Sequence, residues 1–321
     1  MNNLKYGDES HHRLSSFLYE EGLLEITQIT SINKHVYYIR TVDDSAFILK
    51  KHRHQKTVLQ QWNFFEQLPI KAAVPFVTFP NDKKIIDDGS FYWTISPFIE
   101  GRKLNYNDDK DRQAAVTTVK DFHASSENIH LAHRVRKPMT VVRWYHRLQS
   151  FKQTELMFNE FGFSHLYNDI VHIATTYLRQ LTKFPWSMYE TKARVHGTWI
   201  HGDVASHNFI HKEEKTYLID FDLLTCTTQI YDYIQLGQRF LPYIHWDLDQ
   251  LLAYQMVEDA YIDQWLFAIC IPTDVMREWM YVVARNPVRS PKTYLLKMEE
   301  EWAQRKLFLR NVQSMLKLVY L

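Results

Sequence analysis

The chain has 321 residues, with 38 Lys and Arg against 37 Asp and Glu, a net charge of +1 that argues against a nucleic-acid partner, which would need a basic excess. It carries 8 glycines where about 22 would be usual at roughly 7%, and no pair of them fits a dinucleotide fingerprint (G-x-G-x-x-G) or a P-loop (G-x-x-x-x-G-K-[ST]). Its 45% hydrophobic content supplies a core, its two cysteines fit a reducing compartment, and its longest strongly apolar stretch, Trp265 to Ile271, is far short of a membrane span. A cytoplasmic globular protein of two domains or one bilobal unit is expected, with no nucleic-acid or membrane partner.

In chain order, Asp8 to Glu21 reads as a helix that places Leu14, Phe17 and Leu18 on one face and stops at Gly22. Ile26 to Thr41 and Ser45 to Lys50 read as strands, rich in Ile, Val, Thr and Tyr and separated at Asp43-Asp44. Gln55 to Leu68 has the apolar spacing of a helix, and Val74 to Thr78 and Phe91 to Ile95 read as further strands. After Ser96-Pro97-Phe98-Ile99-Glu100-Gly101 the pattern turns helical, over Arg112 to Ser125, Val142 to Phe158, Ser164 to Leu181 and stretches beyond Tyr231. Two short apolar runs, Trp199-Ile200 and Thr216 to Phe221, interrupt the helices. The fold expected is α+β and bilobal: a small antiparallel sheet with one helix over residues 1–98, and a large, mainly helical lobe over residues 99–321.

Polar residues of chemical interest concentrate in His201-Gly202-Asp203-Val204-Ala205-Ser206-His207-Asn208 and in Leu218-Ile219-Asp220-Phe221-Asp222. Phosphoryl transfer needs a carboxylate to orient or deprotonate the attacking hydroxyl, and oxygen ligands for the Mg²⁺ that bridges the nucleotide phosphates. An Asp with an Asn five residues on, then an Asp closing a short apolar strand, matches the kinase layout H-x-D-x-x-x-x-N followed by Asp-Phe. Such a site also needs a lysine on a small-lobe strand. Phe47-Ile48-Leu49-Lys50-Lys51 offers two, on opposite faces, so that strand register decides between them. A carboxylate on the next helix normally orients that lysine, and Glu66 is the only acidic residue between Asp44 and Asp82.

Together, FILK, SPFIEG, HGDVASHNF and YLIDFD resemble the aminoglycoside phosphotransferase / choline kinase superfamily, with its bilobal protein-kinase-like fold, and most of all its bacterial spore-coat (CotS-type) kinase-like proteins. The resemblance implies ATP and Mg²⁺ as cofactors, Asp203 as catalytic base, and Asn208 and Asp220 as metal ligands, with Asp222 a third carboxylate near the metals. It favours Lys50 as the phosphate lysine and Glu66 as its partner, and makes Ser96, Phe98 and Ile99 a hinge whose backbone meets the adenine. His123 and Asp232 become structural residues, and His207 is read as a structural loop histidine.

The expected activity is a phosphotransferase acting on a hydroxyl of a small molecule or saccharide, linked to the spore coat. A catalytically silent pseudokinase serving coat assembly is the alternative, because Thr30 to Val36, which would cover the phosphates, contains no glycine. A haloacid-dehalogenase-type phosphatase is disfavoured, since the threonine of IDFDLLT falls one position late. A metal hydrolase on His201, Asp203 and His207 lacks helical ligand spacing. The aromatic, helical stretch from Arg134 to Arg194 is expected to shape acceptor choice while its aromatics pack into the core. No acidic cluster suited to a polycationic antibiotic stands out.

Overall fold

The computed structural model describes residues 3–69, 73–285 and 291–316. Helix α1 (Asn3–Gly22) leads into β1 (Ile26–Asn33), β2 (Val36–Thr41) and β3 (Ala46–His52), then α2 (Gln55–Phe65), β4 (Ile86–Asp87) and β5 (Tyr92–Pro97). The five strands form one antiparallel sheet in the order β1-β2-β3-β5-β4. Its buried side gathers Leu18, Leu24, Ile39, Leu49, Phe79, Ile86, Trp93 and Ile95 into a compact cluster.

The remaining elements are β6 (Arg102–Lys103), α3 (Asp109–Ser125), α4 (Thr140–Lys152), α5 (Glu155–Glu160), α6 (Ser164–Leu181), α7 (Trp186–His196), β7 (Trp199–Ile200), β8 (Phe209–Lys212), β9 (Lys215–Leu218) and β10 (Thr225–Cys226). They end with α8 (Ile230–Phe240), α9 (Leu248–Ala253), α10 (Ile262–Cys270), α11 (Thr273–Arg285) and α12 (Pro291–Met315). A second, larger apolar cluster runs through these helices. It also takes in Phe64, Phe65 and Leu68, so that α2 packs with the helical part although it follows β3 in the chain. No helix among the described residues is long and apolar enough to cross a membrane, and both cysteines are free.

The structure departs from the expected elements where side chains compete with the backbone. The long strand Ile26 to Thr41 is two strands, because the Asn33 Oδ1 accepts from the His35 N–H (2.8 Å) and folds the chain back at Lys34. Val142 to Phe158 is likewise two helices, α4 and α5. The break falls at Thr154, whose hydroxyl donates to the Phe151 carbonyl (2.7 Å) and accepts from the Trp279 indole (2.9 Å). Val74 to Thr78 forms no strand. Val77 makes one bridge to Ile95, and the neighbouring Ala73 makes one to Leu218. The strand expected over Thr216 to Phe221 stops at Leu218, which frees Asp220 and Asp222 to leave the sheet.

Candidate active site

The β8–β9 hairpin explains the twelve-residue spacing from Asn208 to Asp220. Antiparallel register sets Phe209 opposite Leu218, and the Ile219 N–H donates to the Asn208 carbonyl (3.0 Å), so Asn208 and Asp220 flank the same open end. A second pair, β7 with β10, joins Ile200 to Thr225 and so closes the chain between them into one compact loop system.

Helix α8 holds the loop from below. Asp232, fully buried, accepts from the His201 and Gly202 N–H groups (both 2.9 Å) and sits 3.0 Å from the His123 Nε2. Gln235 donates to the Gly202 carbonyl (3.0 Å), and Arg239 donates to the Asp203 carboxylate (2.7 Å). These three residues lie at i, i+3 and i+7, on one face of the helix. Gly202 itself has φ +83°, and a Cβ there would lie 2.6 Å from the Leu223 carbonyl oxygen, so the turn accepts no side chain. Asn208 is buried and its Nδ2 donates to the Asp203 carbonyl (2.9 Å), tying the two ends of the loop together.

Opposite this loop stands the sheet. Lys50 Nζ lies 2.6 Å from the Asp220 carboxylate and 2.8 Å from that of Asp222. Burial pulls the Lys50 ammonium toward neutrality, but the two carboxylates outweigh it and hold its pKa above the ordinary value. Burial raises the Asp220 carboxyl in turn, and Lys50 reverses that and holds it below the usual carboxylate range. Asp220 adopts a left-handed backbone (φ +65°), a conformation that a non-glycine residue keeps only where its surroundings impose it. Register thus resolves the choice between the lysines: Lys51 faces the other way, over the rings of Tyr37, Phe91 and Trp93.

Glu66 does not orient Lys50. It caps the C-terminal end of α2 and pairs with Lys84, while Lys50 takes its carboxylates from the loop after β9. The hinge residues also differ among themselves. Ser96 pairs with Ile48 within the sheet, the Phe98 N–H donates to the Ala46 carbonyl (3.0 Å), and the Ile99 backbone has no hydrogen bond among the described residues. Both ring nitrogens of His201 are engaged, one with the Ile219 carbonyl (2.9 Å) and the other with the Asp203 N–H (3.2 Å), which leaves neither for a metal. Among the described residues no cluster of three or more His, Cys, Asp or Glu side chains is arranged to hold a metal ion.

Sequence reasoning missed Arg239, although its seven-residue distance from Asp232 is a readable signal that both share a helix face. It also missed His52, whose Nε2 bonds the Thr94 hydroxyl (2.9 Å) and whose Nδ1 lies 3.8 Å from Asp222.

The model of the phosphotransferase enzyme family matches residues 25–263, a span that contains the sheet, the loop and the hairpin. The chain belongs to this family. Solved structures agree on the fold. An aminoglycoside phosphotransferase from Alicyclobacillus acidocaldarius superposes with a TM-score of 0.72 at 15% identity, covering 92% of this chain and 93% of that one. A spectinomycin phosphotransferase, in complex with ADP and spectinomycin, gives 0.61 at 14% identity over 93% of both chains. A choline kinase from Cryptosporidium parvum gives 0.56 at 12% identity over 96% of both. No curated protein sequence matches. Membership brings the kinase-like α+β fold, and the antiparallel sheet excludes the parallel architecture of a dehalogenase-type phosphatase.

Proposed function

We propose that this phosphotransferase-family protein moves the γ-phosphoryl group of ATP to a hydroxyl of a small molecule or saccharide. The observation that carries the reading is the joining of Lys50 to Asp220 and Asp222 at 2.6 and 2.8 Å, across from a loop that presents Asp203 and Asn208. Residues 1–98 would form the nucleotide lobe, and residues 99–321 the lobe that holds acceptor and base. ATP fits the arrangement: Lys50 is the cation for its phosphates, and Ile99 is the hinge residue whose backbone is uncommitted. The spectinomycin phosphotransferase bound to ADP supports a nucleotide in a fold of this kind.

The donors also suit Mg²⁺, a hard cation that prefers oxygen. Asp220, Asp222 and the amide oxygen of Asn208 would hold it. When bound, it would neutralise charge on the phosphates. Asp203 would accept the proton of the attacking hydroxyl, and its ion pair with Arg239 orients it for that role. The glycine-free turn at Asn33 to His35 is closed by its own Asx hydrogen bond, so it reaches its shape without glycine. The link to the spore coat belongs to the same reading and would be read by locating a tagged chain during sporulation.

The test is ADP release from Mg·ATP across a panel of hydroxylated acceptors, for the natural chain and Asp203→Asn. At least one acceptor should raise ADP release above background. Asp203→Asn should lower that turnover by a hundredfold or more, within the range for a lost general base, while circular dichroism stays unchanged. Nucleotide binding without turnover on any acceptor would instead favour the silent coat-assembly protein.

A further inference from the structure

A cleft of about 2020 Å³ opens beside the Asp203 loop, lined by Gly202, Ser206, His207 and Arg239 on the loop side. Its walls come from α4, α7, α8, α11, the N-terminal part of α2 and the segment 132–138. The chain is nearly neutral, yet this lining holds ten Arg and Lys residues against three Asp and Glu. Each of the three carboxylates already has a partner. Glu190 accepts from the Tyr231 hydroxyl (3.0 Å) and lies 3.4 Å from Arg194. Asp274 is held by Arg305. Glu278 bonds Tyr294 (3.3 Å), and burial, with Asp274 beside it, pushes its carboxyl above the usual range.

Most of the cations have no such partner. Seven of the ten lack a carboxylate at ion-pair distance among the described residues, and four of these seven donate only to neutral acceptors. Arg147 donates to the Thr273 carbonyl (3.1 Å), Arg143 to the Thr140 hydroxyl (2.8 Å) and Lys137 to the Leu223 carbonyl (3.2 Å). Arg134 donates to the Arg194 carbonyl (3.1 Å) and the Cys226 sulfur (3.2 Å). Arg143 and Arg147 are one turn apart on α4, a spacing at which like charges repel. Arg277, 4.0 Å from the Glu278 carboxylate, stands near Arg147 as a third guanidinium. Burial, and then their cationic neighbours, push both Arg147 and Lys137 below their ordinary pKa values, and the opposing pull of Asp274 on Arg147 and of Asp222 on Lys137 does not offset this. Lys137 also reaches the residue next to Asp222, so the positive wall runs up to the site where phosphate would be transferred.

We propose that the acceptor is an anionic hydroxyl compound: a small molecule that carries a phosphate or carboxylate group, held by Arg143, Arg147 and Lys137, besides the hydroxyl that is phosphorylated. This rests on the kinase reading above. In the step, the acceptor oxygen forms a bond to the γ-phosphorus of a nucleoside triphosphate. The bond from that phosphorus to the bridging oxygen breaks, and its electron pair leaves with the diphosphate. The hydroxyl proton passes to Asp203 and then to solvent. A guanidinium pair suits either anion because its paired N–H donors match two oxygens at once.

Calorimetric titration of the full chain tests this with matched probes: glycerol 3-phosphate against glycerol, ribose 5-phosphate against ribose, gluconate against glucose, and kanamycin as a polycation. Each is titrated with and without Mg·ADP. At least one anion should bind tenfold or more tightly than its neutral parent in both conditions. Binding of the phosphates alone assigns a phosphate group, and binding of gluconate alone assigns a carboxylate. Arg147→Ala should lower that affinity at least tenfold, and Arg147→Lys should regain part of it. Arg143→Ala serves as the second variant if circular dichroism shows Arg147→Ala misfolded. The proposal is overturned if no anion exceeds its neutral parent, if kanamycin binds more tightly than the anions, or if Mg·ADP displaces the anion. Anion binding without ADP release from Mg·ATP would instead remove the kinase reading and leave the anion site standing.

Discussion

Lys50 shows how much a single side chain can decide. Its position on β3 follows from the FILK pattern, but its partners do not. Glu66 was the one carboxylate in sequence range, and it pairs with Lys84 at the edge of α2. The carboxylates that hold Lys50 come from 170 and 172 residues downstream, and only a folded chain brings them there. That Asn208 and Asp220 would stand together was legible, because their spacing is local and one hairpin fixes it. Arg239 was not picked out, because a lone arginine on a helix says nothing until Asp232 shows which face meets the loop. His52 belongs to the same neighbourhood, and burial, aided by Lys50, pushes its imidazole down from 6.5 to about 4. Its folded pKa lies below its unfolded one, so the unfolded chain takes up a proton that the folded chain refuses. Stability contributed by neutral His52 should therefore be present above pH 6.5 and be lost as pH falls toward about 4. Urea midpoints measured across that window should fall less steeply for His52→Gln than for the natural chain. An equal slope would mean that His52 titrates normally.

At the scale of elements, the site is a loop suspended between a hairpin and a helix. Helix α8 fixes it through Asp232, Gln235 and Arg239, and β8–β9 fixes its exit. The helical periodicity was readable: Ser164 to Leu181 is a helix with the bounds its apolar spacing suggests. The breaks were less so, because Asn33 and Thr154 bend the chain through side-chain hydrogen bonds that hydrophobic pattern does not register. Gly202 is where the loop is least tolerant. Gly202→Ala combines a left-handed backbone with a Cβ driven against the Leu223 carbonyl. It should lower stability by about 1–3 kcal/mol and displace Asp203. Chemical denaturation should show a reduced midpoint with an unchanged slope. A midpoint equal to that of the natural chain would show that the loop yields without strain.

Over the whole molecule, the two apolar clusters are distinct, and α2 follows the sheet in sequence but joins the helical core in packing. The bilobal α+β outline was legible in composition and periodicity. The packing of α2 was not, since Phe64 and Phe65 do not announce which core they join. The shortage of glycine also takes on a definite meaning at this scale: the turn over the expected phosphate position closes on an asparagine, and the charge that would hold phosphate would come from Lys50 and from a cation held by the carboxylates beside it. The central claim is that Lys50, Asn208, Asp220 and Asp222 form one site for Mg·ATP, and the melting temperature with and without Mg·ATP tests it most directly. At nucleotide about a hundredfold above Kd, linkage contributes about 2.7 kcal/mol, a rise of several degrees for a chain of this size. The natural chain should show that rise, and Asp220→Asn should lose its Mg²⁺-dependent part. An unchanged melting temperature at millimolar Mg·ATP, or an Asp220→Asn variant that keeps the full shift, would contradict the account.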